Sequence, residues 1–304
     1  MFRHHIRATL IAVAVLVPAG LDAQARIDDR FSEGRPPVVI AHRSAAMGGF
    51  PENSLAWIDH AIGRGIDMVH INPQLTADDT YVLMHDPTLN RTTDVESVFP
   101  DGPPGGPTRV QRGGKDYVRD YDLSEIRTLK LVNGTDGGVH SVPTLGEALD
   151  LVDGRLLVRL GLKSYEVENL AAALAGRDTR NMLFFELYFS GTDQSKLRRL
   201  MEETGIDASV SLFRTRDALG DLDGIAGQLG PGLRLVSVDS AQLTPEFIAR
   251  ARELGVTVAI SGWDGPEDAA LLRDADPGPW RALLERGFAA STDQPDLLLD
   301  LLGR

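Results

Sequence analysis

The chain has 304 residues, a formal net charge of −13 at pH 7 and no cysteine. The acidic balance excludes general nucleic-acid binding and adhesion to an anionic membrane, although a basic pocket within an acidic shell remains compatible with an anionic substrate. Without cysteine there are no disulfides, no lipid-modified cysteine anchor, no thiolate metal sites and no cysteine nucleophile.

The first 25 residues read as a secretory signal peptide. A basic start, "MFRHHIR", is followed by the apolar run "ATLIAVAVLVPAGL" and by small residues in "DAQA". This is the three-part layout of an export signal, and the run is short for a membrane span. No later window is continuously apolar. The expectation is an exported protein, periplasmic or secreted, with no stable membrane anchor and a single domain over residues 26–304.

From there to the C-terminus, short apolar runs alternate with amphipathic stretches. Candidate strands are Val38–His42, Met68–Asn72, Tyr81–His85, Leu156–Lys163, Met182–Tyr188, Ser209–Phe213, Leu233–Val238, Val256–Ser261 and Phe288–Thr292. Among the stretches between them, "SLAWIDHAIGRG" and "TPEFIARARELG" read as helices, the second starting at Thr244-Pro245 and stopping by Gly255. Repeated βα units at this length predict a parallel sheet closed into a (β/α)8 TIM barrel. The run Tyr81–His85 is the one too many for eight strands. It reads as the return strand of a hairpin after the second barrel strand, turning at Ala77-Asp78, with position 70 opposite 85, 72 opposite 83 and 74 opposite 81. Residues 94–141 form a Pro/Gly-rich insertion, with "LSEIRTL" as a short helix, expected to lie over the barrel mouth.

In such barrels the reactive groups come from the C-terminal ends of the strands. Those ends supply His42 and Arg43, His70 and Asn72, His85, and then Arg159, Gly161 and Lys163 on one face by the period of two. The run Met182–Tyr188 adds Glu186 and Tyr188. Several histidines, two arginines and a lysine are thus expected to converge on one mouth.

The run "AHRSAAMGGFPENSLAWIDHAIGRGIDMVHINPQLTADDTYVLMHDPTLNRTT" resembles the glycerophosphodiester phosphodiesterases, and the likeness continues through "SVPTLGEALDLV", "LGLK" and "STDQPDLLLDLL". The resemblance implies a TIM barrel that cleaves glycerophosphodiesters to glycerol phosphate and an alcohol. It implies acid–base roles for His42 and His85, and phosphate or substrate contacts for Arg43, Glu52 and Lys163. It also implies Mg²⁺ or Ca²⁺, yet the family's three acidic metal ligands fall on His70, Asn72 and Gly161. A hard cation needs oxygen ligands, so no Mg²⁺ or Ca²⁺ site is expected here. Two smaller departures are Ser44 in place of glycine, and "SGWDGPED", where the family's aromatic position becomes Ser261 and Trp263 follows.

Three readings follow. The first is metal-free cleavage of a small glycerophosphodiester-like substrate, with Arg43, Lys163 and Arg159 supplying the missing positive charge. The second is a transition metal held through His70, or a non-phosphodiester activity of the altered histidine-rich site. The third is a non-catalytic binding protein on the same barrel.

Overall fold

The computed structural model describes residues 24–44, 46–212 and 214–304. All but the last two residues of the expected signal segment lie outside the described residues, as does Phe213. Among the described residues no helix is long and apolar enough to cross a membrane.

The described residues hold twelve strands in chain order: β1 (Val39–Ala41), β2 (Met68–Ile71), β3 (Pro73–Leu75), β4 (Tyr81–Leu83), β5 (Lys130–Leu131), β6 (His140–Ser141), β7 (Leu157–Gly161), β8 (Met182–Leu187), β9 (Ala208–Ser211), β10 (Leu233–Val238), β11 (Thr257–Ser261) and β12 (Ala289–Thr292). Eight of them close a parallel barrel in the order β1-β12-β11-β10-β9-β8-β7-β2, with β2 returning to β1. The expected TIM barrel is therefore present, and each barrel strand matches a predicted run to within a few residues. The helices begin as their capping residues require. Ser54 accepts from Trp57 N to open Leu55–Arg64, which closes on Gly65 at φ 70°. Thr244 does the same for Pro245–Glu253 through Phe247 N.

The barrel interior is stratified by the two-residue period. Ile40, Met68, Leu157, Leu183, Leu235, Ala259 and Ala289 form an apolar plug, joined by Ile27 from the N-terminal helix Ile27–Arg30. Two residues further along the same strands stand His42, His70, Arg159, Phe185, Ser237, Ser261 and Ser291. One step of about 6–7 Å along each strand thus carries the interior from an apolar floor to a polar chamber.

The hairpin exists but in a different register. Pro73 pairs with Leu83, Gln74 with Val82 and Leu75 with Tyr81, one residue away from the expected pairing. The cause is the turn. Thr76 N bonds Thr80 O at 2.9 Å, leaving three loop residues instead of two. The last of them, Asp79, takes the left-handed conformation at φ 58°, and the hydroxyl of Thr76 donates to Asp78 Oδ1 at 2.6 Å. A one-residue slip exchanges faces, so His70 and His85 are not ladder partners.

The insertion is less irregular than its composition predicts. It holds short helices at Val95–Val98 and Leu123–Ile126 and the β5–β6 pair. Its own core packs Val95, Tyr121, Ile126 and Leu131 against Val82 and Met84 of the hairpin. At its centre the fully buried carboxylate of Asp116 accepts from Arg109 Nε (2.7 Å), Asn90 Nδ2 (2.7 Å) and the Tyr121 hydroxyl (2.6 Å). Removing the carboxylate takes the counter-charge from a partly exposed guanidinium and leaves the Tyr121 hydroxyl without its acceptor. Asp116→Ala is expected to cost about 2 kcal/mol or more of stability, measured by chemical denaturation; a loss under ~1 kcal/mol would mean that the insertion does not depend on this node.

Candidate active site

The C-terminal end of the barrel encloses a cavity of about 210 Å³ lined by His42, Arg43, His70, His85, Arg159, Lys163, Phe185, Leu187, Ser211, Ser237, Ser261 and Trp263. Of the predicted site residues, His42, His85, Arg43, Lys163 and Arg159 all reach it. Among the described residues, the cavity lining carries three cationic side chains and no carboxylate.

His42 follows the end of β1. Its Nδ1 lies 3.1 Å from Asp293 Oδ1, just past β12. One face of the ring packs on Trp263 at 4.7 Å between centroids, and His70 meets it edge-on at 5.5 Å. Burial pushes the His42 imidazole below its usual range, against the pull of Asp293. Asp293 is itself placed by Asp268, whose buried carboxylate accepts from Asp293 N, the Thr292 hydroxyl and Trp280 Nε1 at 2.8, 2.6 and 2.9 Å.

His85 has a parallel arrangement. Its Nδ1 lies 2.6 Å from Asp86 Oδ1, and burial, with Arg43 and Lys163 nearby, takes its imidazole down to about 4. Burial alone would raise the Asp86 carboxyl, but hydrogen bonds from Arg91 and His85 hold it at about 2. Arg91 also grips Glu52, with Nη2 2.6 Å from Oε1. Glu52 was expected to contact substrate. It instead lies outside the cavity lining, 7 % exposed, its carboxylate committed to Arg91. The neighbouring Asn53, at φ 60°, accepts the backbone N–H of Asn72 on its side-chain oxygen at 3.0 Å. The "PEN" segment thus braces His85 through Arg91 and Asp86, and braces the end of β2 directly.

Arg159 crosses the chamber from β7. It donates to Ser237 Oγ on β10 and Ser291 Oγ on β12, both at 3.2 Å, and to His70 Nδ1 at 3.1 Å. Its guanidinium lies 4.2 Å from the Phe185 ring centroid, and burial lowers its pKa to about 9. A guanidinium can only donate, so His70 Nδ1 accepts and the ring proton sits on Nε2. Asn72 Nδ2 is placed 3.0 Å from that nitrogen with Oδ1 buried and unpartnered; two donors cannot bond, so the amide is assigned the reverse orientation, in which Oδ1 accepts from Nε2–H. Burial, then Arg159, hold His70 neutral, well below the usual histidine range. At Gly161 a Cβ would overlap both the Asn72 side-chain amide and His70 Nε2. The three positions that the resemblance assigns to metal ligands therefore interlock.

Lys163 bounds the mouth, its ammonium pKa lowered by burial and by Arg43. It also lines an adjoining groove of about 450 Å³ with Gln74, Tyr117, Arg119, Tyr165 and Lys196. Tyr117 and Arg119 belong to the insertion, which does border the mouth as expected. Glu186 and Tyr188 do not enter the cavity. On β8 it is Phe185 and Leu187 that face inward, and the alternation turns Glu186 and Tyr188 toward the helices. Missed from the sequence were Asp293, Asp86 and Arg91, and the serines of β9, β10 and β12. The Asp86 signal was adjacency to His85. For β10 and β12 the serine signal was a polar residue two places beyond an apolar plug residue, whereas on β9 Ser211 follows another serine, Ser209.

A family model described as "Glycerophosphoryl diester phosphodiesterase family" matches residues 42–277. A glycerophosphodiester phosphodiesterase of Caldanaerobacter subterraneus is 32% identical over 130 residues, 42% of this chain and 45% of that protein. One from Bacillus altitudinis is 28% identical over 130 residues, 41% and 45% respectively. The aligned part spans less than half the length of these relatives. A glycerophosphoryl diester phosphodiesterase structure from Parabacteroides distasonis superposes with a TM-score of 0.65 at 20% identity, covering 91% of this chain and 92% of that one. An Oleispira antarctica phosphodiesterase in complex with the product sn-glycerol-3-phosphate gives 0.63 at 20% identity, covering 88% and 98%. At these identities the superpositions show the fold.

Two outcomes follow from the geometry. Gly161→Ala should lower stability by about 1–3 kcal/mol, read in a denaturant titration, because a methyl has no room beside His70 and Asn72; a neutral change would mean that the three positions do not interlock. Asp293 supports the protonated form of His42, so Asp293→Asn should move the His42 titration to lower pH still, followed by NMR of the ring protons. An upward move would contradict the dyad.

Proposed function

Since the chain belongs to the glycerophosphoryl diester phosphodiesterase family, we propose that it cleaves a small glycerophosphodiester-like substrate, with His42 and His85 as its acid–base pair and no Mg²⁺ or Ca²⁺. The observation that carries this reading is the cavity lining. Two histidines, each backed by an aspartate, face one chamber with Arg43, Lys163 and Arg159 and no carboxylate among the lining residues.

The donor set argues against the family's metal. Mg²⁺ and Ca²⁺ take oxygen ligands, usually carboxylates. Here the ligand positions hold an imidazole, an amide and a glycine. Both His70 nitrogens are engaged, one by a guanidinium 3.1 Å away that would repel any cation. The same engagement disfavours a transition metal through His70, and the described residues contain no group of three or more His, Asp or Glu placed to hold one.

In the proposed reaction one histidine takes the proton from a substrate hydroxyl adjacent to the phosphate. That oxygen attacks phosphorus, the bond to the leaving alcohol breaks, and the other histidine gives its proton to the departing oxygen. The product is a cyclic phosphodiester and a free alcohol. Arg43, whose Nε donates to His42 Nε2 at 3.4 Å and would turn to the substrate, and Lys163, near His85, hold the phosphate and oppose the charge that develops on it, and Arg159 adds positive potential from below. His42 lies deeper, against His70, and suits the base. His85 lies beside Lys163, where the groove opens for the departing alcohol, and suits the acid. Bound phosphate neutralises the cations that depress His85, which raises its pKa toward the range an acid needs. The N-terminal sequence supports action outside the cytoplasm, on a small anionic metabolite.

The test is turnover of an aryl phosphodiester and of glycerophosphocholine, with and without EDTA. Turnover should survive EDTA, and His42→Ala and His85→Ala should each lower it by about 10²–10⁴-fold. Loss on chelation with recovery on adding Mg²⁺ or Ca²⁺ would refute the metal-free mechanism. Tight binding with no turnover by the wild-type protein would make the chain a binding protein instead.

A further inference from the structure

We propose that the floor of the cavity is a second anion seat, which takes a carboxylate on the part of the substrate that stays in the barrel when the alcohol leaves. The inference rests on the reading above, in which the scissile phosphate sits at the mouth between His42 and His85. It goes further by naming the substrate as a phosphodiester of a hydroxy acid rather than of glycerol.

The charges lie in two tiers. Arg43 and Lys163 stand at the mouth, and both act on His85. Arg159 is tied into the layer directly above the apolar plug by its bonds to Ser237 and Ser291 on the far wall. Gly161, the last residue of β7, lies one inward step above Arg159, and Lys163 follows it beyond the strand end, so the mouth cations are attached higher on the barrel than Arg159. One phosphate held at the mouth has no need of the lower cation.

Among the described residues the lower cation has no counter-charge. Arg159 is 2 % exposed, its hydrogen-bond partners are two serines and a neutral histidine, and its Nε–H has no partner at all. A guanidinium out of water costs several kcal/mol unless an anion compensates it, and the stacked Phe185 returns only about 2 kcal/mol. A ligand carboxylate would supply the missing charge, and the planar guanidinium fork matches its two oxygens. The hydroxyls of Ser211, Ser237 and Ser261 line the same chamber and add donors of the same kind. A neutral hydroxymethyl group in that place would leave Arg159 unbalanced. The cavity, about 210 Å³, is below drug-sized and suits a unit of about three carbons carrying the phosphate.

The probes are D-3-phosphoglycerate and sn-glycerol 3-phosphate, which share the phosphate and differ in carrying a carboxylate or a hydroxymethyl group at the far carbon. Each is titrated calorimetrically into the full-length protein in EDTA. Phosphoglycerate should bind about tenfold to a hundredfold more tightly, as one buried charge-assisted contact provides. Arg159→Met should remove the preference, Ser237→Ala should reduce it if the first variant fails to fold, and Lys163→Met should weaken both ligands by a similar factor. Equal affinities in the wild-type protein, or a preference that persists in Arg159→Met, would overturn the second seat. Equal affinities alongside EDTA-resistant turnover would leave the cleavage reading intact, whereas failure of both ligands to bind would remove the phosphate seat and this inference together.

Discussion

A guanidinium buried across the middle of a barrel, with no carboxylate against it, is the constraint around which the rest of the chamber is arranged. Arg159 can be there only if its donors are met and its plane is supported. Small hydroxyl residues on β10 and β12 leave room for it and accept from it. Phe185 lies on its face, and His70 must present a bare nitrogen. That single requirement dictates the His70 tautomer, which in turn dictates how Asn72 is turned. The polarity of the chamber is thus a chain of donors and acceptors that starts from one cation.

Above that layer the two histidine dyads are held by separate supports. His42 answers to the end of β12, through Asp293 and then Asp268. His85 answers to the segment before the helix Leu55–Arg64, through Asp86, Arg91 and Glu52. The supports come from opposite ends of the chain, so the distance between the dyads is a property of barrel closure and not of any one loop. Trp263, packed on His42, supplies an aromatic wall near the place where the family pattern sets its own aromatic residue.

The barrel was legible because parallel strands covered on both faces read as continuous apolar runs, and because residues such as Ser54 and Thr244 cap the helices they precede. Strand-end chemistry was legible for the same reason: His42, His85, Arg43, Lys163 and Arg159 enter the cavity that their strand positions imply. What failed depends on features no run of residues displays. Whether the alternation on β8 points Phe185 or Glu186 inward is decided by the barrel's closure. The hairpin register followed from Asp79 adopting a left-handed conformation, which few non-glycine residues do. Glu52 is visible as a residue of the family pattern, but the arginine that takes its carboxylate lies 39 positions away. The Pro/Gly content of the insertion concealed a small core built on a buried aspartate, because charge burial leaves no compositional trace.

The interlock of His70, Asn72 and Gly161 also sets what a substitution in the chamber can do. Any side chain at position 161 meets the imidazole and the amide already in place. Room for one opens only if His70 moves, and Arg159 would then lose an acceptor. A change at any of these positions is thus felt at the guanidinium beneath them, and the chamber tolerates such changes together or not at all.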